Sequence, residues 1–217
     1  MVQGGRFMKL TKYQHACFTA EKDGKLLVVD PGAYTHDLEA PENVVAIIVT
    51  HEHPDHFDVN ALGALIAHNP EAVVIAHESI TTQLGNALPH KAVAAGDQLS
   101  LGPFELKFVG GEHAQITPDM PALANLGLLV NNTLYYPGDS FFLPEEQFET
   151  LALPAAAPWC KISEVMEFAT RAKASTVFPT HDAILSGEGK ELIDRMLAPI
   201  VGKAGGKYIR VTEPIDI

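Results

Sequence analysis

Apolar positions along the chain change their period several times, and each change marks an element. Residues 25–30 (KLLVVD) are apolar and β-branched at their centre and are stopped by Pro31-Gly32, which predicts a strand. Asp23-Gly24 just before them is a hairpin signal, so residues 16–21 are expected to pair antiparallel with residues 25–29. Residues 44–50 (VVAIIVT) are apolar without a break. Such a strand is buried on both faces, so other layers must cover its sheet. Val59–His68 instead sets Leu62, Leu65 and Ile66 at helical spacing and ends at Asn69-Pro70. Residues 72–76 (AVVIA) predict the next strand, and a helix follows over about residues 79–86.

The middle of the chain changes character. Residues 97–101 and 104–109, parted by Gly102-Pro103, predict a meander. Residues 126–130 and 133–136 flank Asn131-Asn132, a second hairpin signal. The last third alternates again: a strand at 151–156, a helix at 161–173 with the stripe Ile162, Val165, Met166 and Ala169, a short strand at 176–178, a helix at 188–197 and a strand at 207–211. This α/β order suits two sheets packed face to face with helices outside both. No repeat, low-complexity tract or Pro/Ser-rich linker divides the chain, so residues 1–217 read as a single domain. Residues 1–7 are polar and Gly-rich and read as a loose leader, with Met8 an alternative start to Met1.

Composition narrows the classes. At 217 residues and 47% apolar, the chain can bury a large core without disulfides and is not a disordered segment. Its 27 acidic side chains against 15 Lys and Arg give a formal charge of −12, which argues against a nucleic-acid partner held by phosphate neutralisation. No apolar run approaches the ~20 residues of a membrane span, and no basic–apolar signal opens the chain. Cys17 and Cys160 show no metal or redox spacing. They are expected as two buried thiols in a reducing cytosol, so a cytoplasmic location is expected.

The strongest chemical signal follows the buried strand: Thr50-His51-Glu52-His53-Pro54-Asp55-His56. Imidazoles and carboxylates crowded into a tight loop can converge on a metal, and the strand supplies rigidity. Further candidates sit where a strand meets Gly or Pro: His113 after Gly110-Gly111, Asp139 in Pro137-Gly138-Asp139-Ser140, and His181 in Pro179-Thr180-His181-Asp182. Each alone is ambiguous, since a strand-end His is more often a surface residue and a Gly-Asp pair is usually a turn.

Together these residues resemble the metallo-β-lactamase superfamily. Its HxHxDH signature stands here as His51, His53, Asp55 and His56, and its later His, Asp and His as His113, Asp139 and His181. The resemblance also covers Asp30 in VVDPG and spans nearly the whole chain. It implies an αββα four-layer sandwich with a two-metal site at one edge. The first metal would sit on His51, His53 and His113, the second on Asp55, His56 and His181, with Asp139 bridging. The metals implied are zinc, with manganese or iron tolerated. Asp30 would steady the ligand loop. A metal-bound hydroxide would attack a carbonyl or phosphoryl centre, with Asp55 both ligating and accepting a proton.

Absences within the superfamily narrow it further. There is no room for the inserted domain of the β-CASP nucleases or for a flavodoxin domain, and the tail lacks the basic residues of glyoxalase II-like thiolesterases. The chain is more similar to the short members that resemble ascorbate-6-phosphate lactonase, through an opening strand with Gln14-His15-Ala16-Cys17-Phe18 and through residues 153–182. His15 is a candidate contact to substrate or to a ligand, or a strand His satisfied by backbone. His36, His68, His77 and His90 are expected at the surface or in caps. Trp159 is a candidate pocket wall or a core residue, and residues 114–125 are a candidate lid. The expected activity is hydrolysis of a small ester, lactone or phosphate-ester-like substrate, with anionic substrates welcome near the metals. No membrane partner is expected, and a homo-oligomer is compatible. A nuclease or nucleotide phosphodiesterase, and a non-catalytic metal-binding protein, stay open as alternatives.

Overall fold

The uninterrupted apolar run forms an interior strand of a sheet, and its two faces are buried in different clusters. The computed structural model describes residues 7–217. Its first sheet contains β1 (Lys9–Lys12), β2 (Phe18–Lys22), β3 (Lys25–Val29), β4 (Val44–Val49), β5 (Val73–Ala76) and β6 (His90–Ala92) in that spatial order. β2 and β3 form the expected antiparallel hairpin, and β3 to β6 run parallel. Helix α1 (Val59–His68) links β4 to β5, and α2 (Glu78–Leu84) links β5 to β6. The second sheet holds β7 (Gln98–Leu101), β8 (Phe104–Glu112), β9 (Ala124–Val130), β10 (Leu134–Tyr136), β11 (Thr150–Pro154), β12 (Thr176–Thr180) and β13 (Lys207–Tyr208), again in order. It is antiparallel up to β10 and parallel from there. Helix α3 (Ile162–Ala172) links β11 to β12, and α4 (Gly187–Lys203) links β12 to β13. The last strand, β14 (Ile215–Asp216), returns to pair with β1.

Three apolar clusters define four layers. Ala46 and Ile48 of β4 meet Phe18, Phe104, Phe108, Leu128, Tyr136 and Phe178 between the sheets. Ile47 and Val49, on the other face, pack on Leu62, Leu65 and Ile80 of α1 and α2. The outer face of the second sheet packs Leu151, Leu153 and Val177 on Val165, Phe168, Ile193 and Leu197 of α3 and α4. This is the αββα sandwich. Burial of each large side chain contributes roughly 1.5–3 kcal/mol before entropy is counted. Phe18 lies edge-on to Tyr136 and Phe178 at 5.4 and 6.0 Å, a favoured aromatic geometry.

Side chains close the N-termini of two helices. Asp58 caps α1 by accepting from Asn60 N at 2.8 Å, and Ser186 caps α4 by accepting from Gly189 N. Other details differ from the pattern. α4 runs past residue 197 to Lys203 despite Pro199, because Ile193, Leu197 and Val201 continue the buried stripe and outweigh one lost backbone bond. β1, β6 and β14 were not expected; they are two to four residues long and too short to carry a period. β13 stops at Tyr208 rather than 211, and Arg210 turns to Asp194 and Asp182 instead. Both cysteines are free, but only Cys17 is buried; Cys160 is half-exposed on the connection into α3. The proposed leader falls on residues 1–6, which lie outside the described residues, and on Phe7, which is exposed. No helix among the described residues is long and apolar enough to cross a membrane.

Candidate metal centre

Every candidate side chain lies at one edge of the sandwich, beyond the carboxyl ends of the strands. Asp30 follows β3, His51–His56 follow β4, His113 follows β8, Asp139 follows β10 and His181 follows β12. In open α/β sheets this edge is where ligands collect. The two sheets are tied there by a backbone bond from Leu126 N to Thr50 O at 2.9 Å. The His51–His56 loop closes on itself, with His56 N and Phe57 N both donating to His53 O. Gly32 lies against its backbone: a Cβ there would fall 2.0 Å from Asp55 C and O. The Pro31-Gly32 pair that stops β3 therefore also lets the ligand loop approach it.

Asp139 is the meeting point. His113 Nε2, His181 Nε2 and His51 Nε2 lie 3.4, 3.0 and 4.0 Å from its Oδ2, and His56 Nε2 lies 3.3 Å from its Oδ1. Asp55 Oδ2 lies 3.3 Å from His181 Nε2 and 3.8 Å from His56 Nε2. Two groups of possible ligand atoms result, each drawn within 4.8 Å: His51, His53, His113 and Asp139 in one; His15, Asp55, His56 and His181 in the other.

Four of these imidazoles are oriented from behind. His56 Nδ1 donates to Asp30 Oδ2 at 2.7 Å, His113 Nδ1 to Ala114 O at 2.5 Å and His181 Nδ1 to Ala156 O at 2.6 Å. His51 Nδ1 donates to Thr50 Oγ1 at 3.1 Å, and that hydroxyl donates to Asp30 Oδ2 at 2.7 Å. With its proton held on Nδ1, each ring turns a bare Nε2 inward. His51, His56, His113 and His181 Nε2 and Asp139 Oδ1 are buried without a hydrogen-bond partner. Each such atom would cost ~1–3 kcal/mol left unpaired. Four imidazole lone pairs and a carboxylate oxygen converging this way fit divalent cations.

The carboxylates among these rings favour positive charge on two of them, a place where a bound cation would replace a proton on Nε2. Burial by itself lowers His56, but the carboxylates of Asp139 and Asp30 lift it to about 10. Burial likewise lowers His181, and Asp139 and Asp55 lift it to about 9. Burial pushes Asp55 and Asp139 up, yet the histidines around them hold both well below the usual carboxylate range. His51 is pushed down by burial and by His56 beside it, so it remains a neutral donor of its lone pair.

The structure brings together His51, His53, Asp55, His56, His113, Asp139 and His181, with Asp30 directly behind His56 and, through Thr50, behind His51. Asp30 accepts four hydrogen bonds, from Thr50 N, Thr50 Oγ1, His56 Nδ1 and Tyr136 OH. His15 is also at the site but not on a strand: it sits in the turn before β2, with φ +54°. Its side chain meets Asp55, so it is not merely satisfied by backbone. His77 caps α2, while His36, His68 and His90 are exposed. Trp159 reaches the centre, its Nε1 donating to Asp139 Oδ2 at 2.8 Å. Two residues had no sequence signal. Asn125 accepts from Asp139 N and donates to Pro137 O, which fixes the Asp139 turn. Tyr136 reads in sequence as a plain strand aromatic, yet its hydroxyl reaches Asp30.

Residues 9–181 match the family described as the beta-lactamase superfamily domain. The protein Rv0786c of Mycobacterium tuberculosis is 39% identical over 188 residues, covering 84% of this chain and 88% of that one. A UPF0173 metal-dependent hydrolase of Flavobacterium johnsoniae is 28% identical over 144 residues, 61% of this chain and 62% of the relative. The structure of Igni18, a metallo hydrolase from Ignicoccus hospitalis, superposes with a TM-score of 0.75 at 18% identity, covering 97% of this chain and 98% of that one. That likeness is one of fold.

Proposed function

The chain belongs to the beta-lactamase superfamily, and from that premise we propose that it is a hydrolase working with two divalent cations on a small ester, lactone or phosphate-ester-like substrate. His51, His53 and His113 would hold one cation, Asp55, His56 and His181 the other, and Asp139 would lie between them. The observation that carries this reading is five buried ligand atoms without hydrogen-bond partners, shared between two adjacent groups of possible ligands. The imidazole and carboxylate set suits zinc and tolerates manganese or iron. When bound, such ions make a water nucleophilic near neutral pH and stabilise charge developing on the substrate.

The chain's own residues supply the rest. Asp55 is the carboxylate open to solvent, its side chain 21% exposed against 3% for Asp139 and 0% for Asp30. In this reading it would take a proton from an incoming water. Trp159 and Asn125 fix Asp139 from two sides, so that carboxylate is preorganised. Residues 114–123 fold beside His53 and His113 and present Ile116, Met120, Pro121 and Leu123 as an apolar wall. The unreacting part of a small substrate would rest there. The short lactonase-like subgroup is the narrower form of this reading.

The test is turnover by the fully metal-loaded protein on panels of esters, lactones and phosphodiesters. One class should react, and Asp55→Asn should lower its turnover by about 100-fold or more. No hydrolysis of any class by the loaded wild type would contradict the reading.

A further inference from the structure

His15 is fixed from every side. Its ring is fully buried, 4.0 Å centroid to centroid from His181 and edge-on to Tyr34 at 5.1 Å. Its carbonyl accepts from Lys12 Nζ at 2.5 Å and from His181 N at 3.0 Å. Its Nδ1 accepts from Ala183 N at 3.3 Å, and its Nε2 lies 2.9 Å from Asp55 Oδ2. The backbone is left-handed at φ +54°, which costs a non-glycine residue of order 1 kcal/mol or more. Such strain persists where the surroundings over-determine it, as they do here.

The tautomer separates His15 from the other histidines. At His51, His56, His113 and His181 the partner of Nδ1 is an acceptor, so Nε2 is bare. At His15 the partner of Nδ1 is a donor, the Ala183 amide. Nδ1 is therefore the bare nitrogen and Nε2 carries the proton. A protonated nitrogen cannot ligate a cation, but it can donate to Asp55.

We propose that His15 is a positioning residue and not a fourth ligand: its Nε2–H orients the Asp55 carboxylate, and its carbonyl and Nδ1 pin the backbone of residues 181–183. It thereby fixes two ligands of the same cation, Asp55 and His181. The inference rests on the two-cation reading above, and it assigns the proximity of His15 to that group a role that ligand distance alone does not distinguish. Hydrogen-bond partners of ligands typically tune cation affinity by 10–100-fold.

The experiment is calorimetric titration of metal-depleted protein with Zn²⁺, for wild type, His15→Phe and His15→Gln. Wild type binds two ions. His15→Phe binds one of them about 10–100-fold more weakly and leaves the other unchanged. His15→Gln, whose amide N–H can reach Asp55, recovers most of that loss. A Gln variant no better than Phe, or a Phe variant with both affinities unchanged, overturns the proposal. In case the variants fold poorly, ¹⁵N–¹H ring spectra of zinc-loaded wild type decide the point directly: His15 shows a proton on Nε2, and a zinc-coordinated Nε2 overturns the assignment. Fewer than two ions on wild type would instead count against the two-cation reading itself.

Discussion

Single residues at the centre act mostly through the atoms behind them. Asp30 touches no proposed cation, yet it anchors His56 directly and His51 through Thr50. The cluster His51–His56 was legible in the sequence because its members are close along the chain. His113, Asp139 and His181 were ambiguous singly and gained meaning only as a set. Trp159, Asn125 and Tyr136 act through contacts across the fold, which no local pattern encodes. The turn that carries His15 was hidden because its left-handed backbone comes from tertiary bonds rather than from a glycine. Gly32 offers a sharp test at this scale. A methyl there would meet the Asp55 backbone at 2.0 Å, so Gly32→Ala should destabilise by about 3 kcal/mol or more and lower metal content. Gly63, inside α1, has nothing within 4 Å of its would-be Cβ, so Gly63→Ala should stabilise by about 0.5–1 kcal/mol. Chemical denaturation of the two variants beside wild type checks both signs.

Elements were legible where they were long or doubly buried. β4, α1 and both hairpins appear where the apolar period placed them. The missed strands are short, and β6 is wholly exposed, so burial left no mark on its sequence. The end of α4 depends on packing that overrides Pro199. The C-terminal segment is fastened by Arg210, whose Nε and Nη2 donate to both oxygens of Asp194 at 2.6 and 2.7 Å, with Tyr208 OH adding 2.6 Å. Burial raises the Asp194 pKa, but these donors win and hold it below the ordinary value. A depressed carboxylate contributes stability above the unfolded pKa and loses it as pH falls through the folded one. Asp194→Asn should therefore cost about 1 kcal/mol above about pH 4 and converge with wild type in acid. Thermal unfolding across pH measures this, and a constant difference down to the lowest pH would contradict it.

At the scale of the whole molecule, the −12 formal charge and the centre belong to one picture. The acids at the site, Asp55 and Asp139, are held ionised by the histidines around them. Two divalent cations would offset part of the chain's negative charge where an anionic substrate could approach. Because the proposed ligands come from both sheets, cation binding should also brace the sandwich. Ligand that binds only the folded state stabilises by about 2.7 kcal/mol at 100 times its Kd. A chelator should thus lower Tm measurably, and added zinc should restore it. An unchanged Tm would separate the centre from the stability of the fold.

Metal content per chain decides whether the centre holds two cations. Elemental analysis of zinc-saturated, dialysed protein should find two ions on wild type and fewer on Asp139→Ala, which removes the shared carboxylate. One ion per chain or fewer on wild type, or equal content in the two proteins, would contradict it.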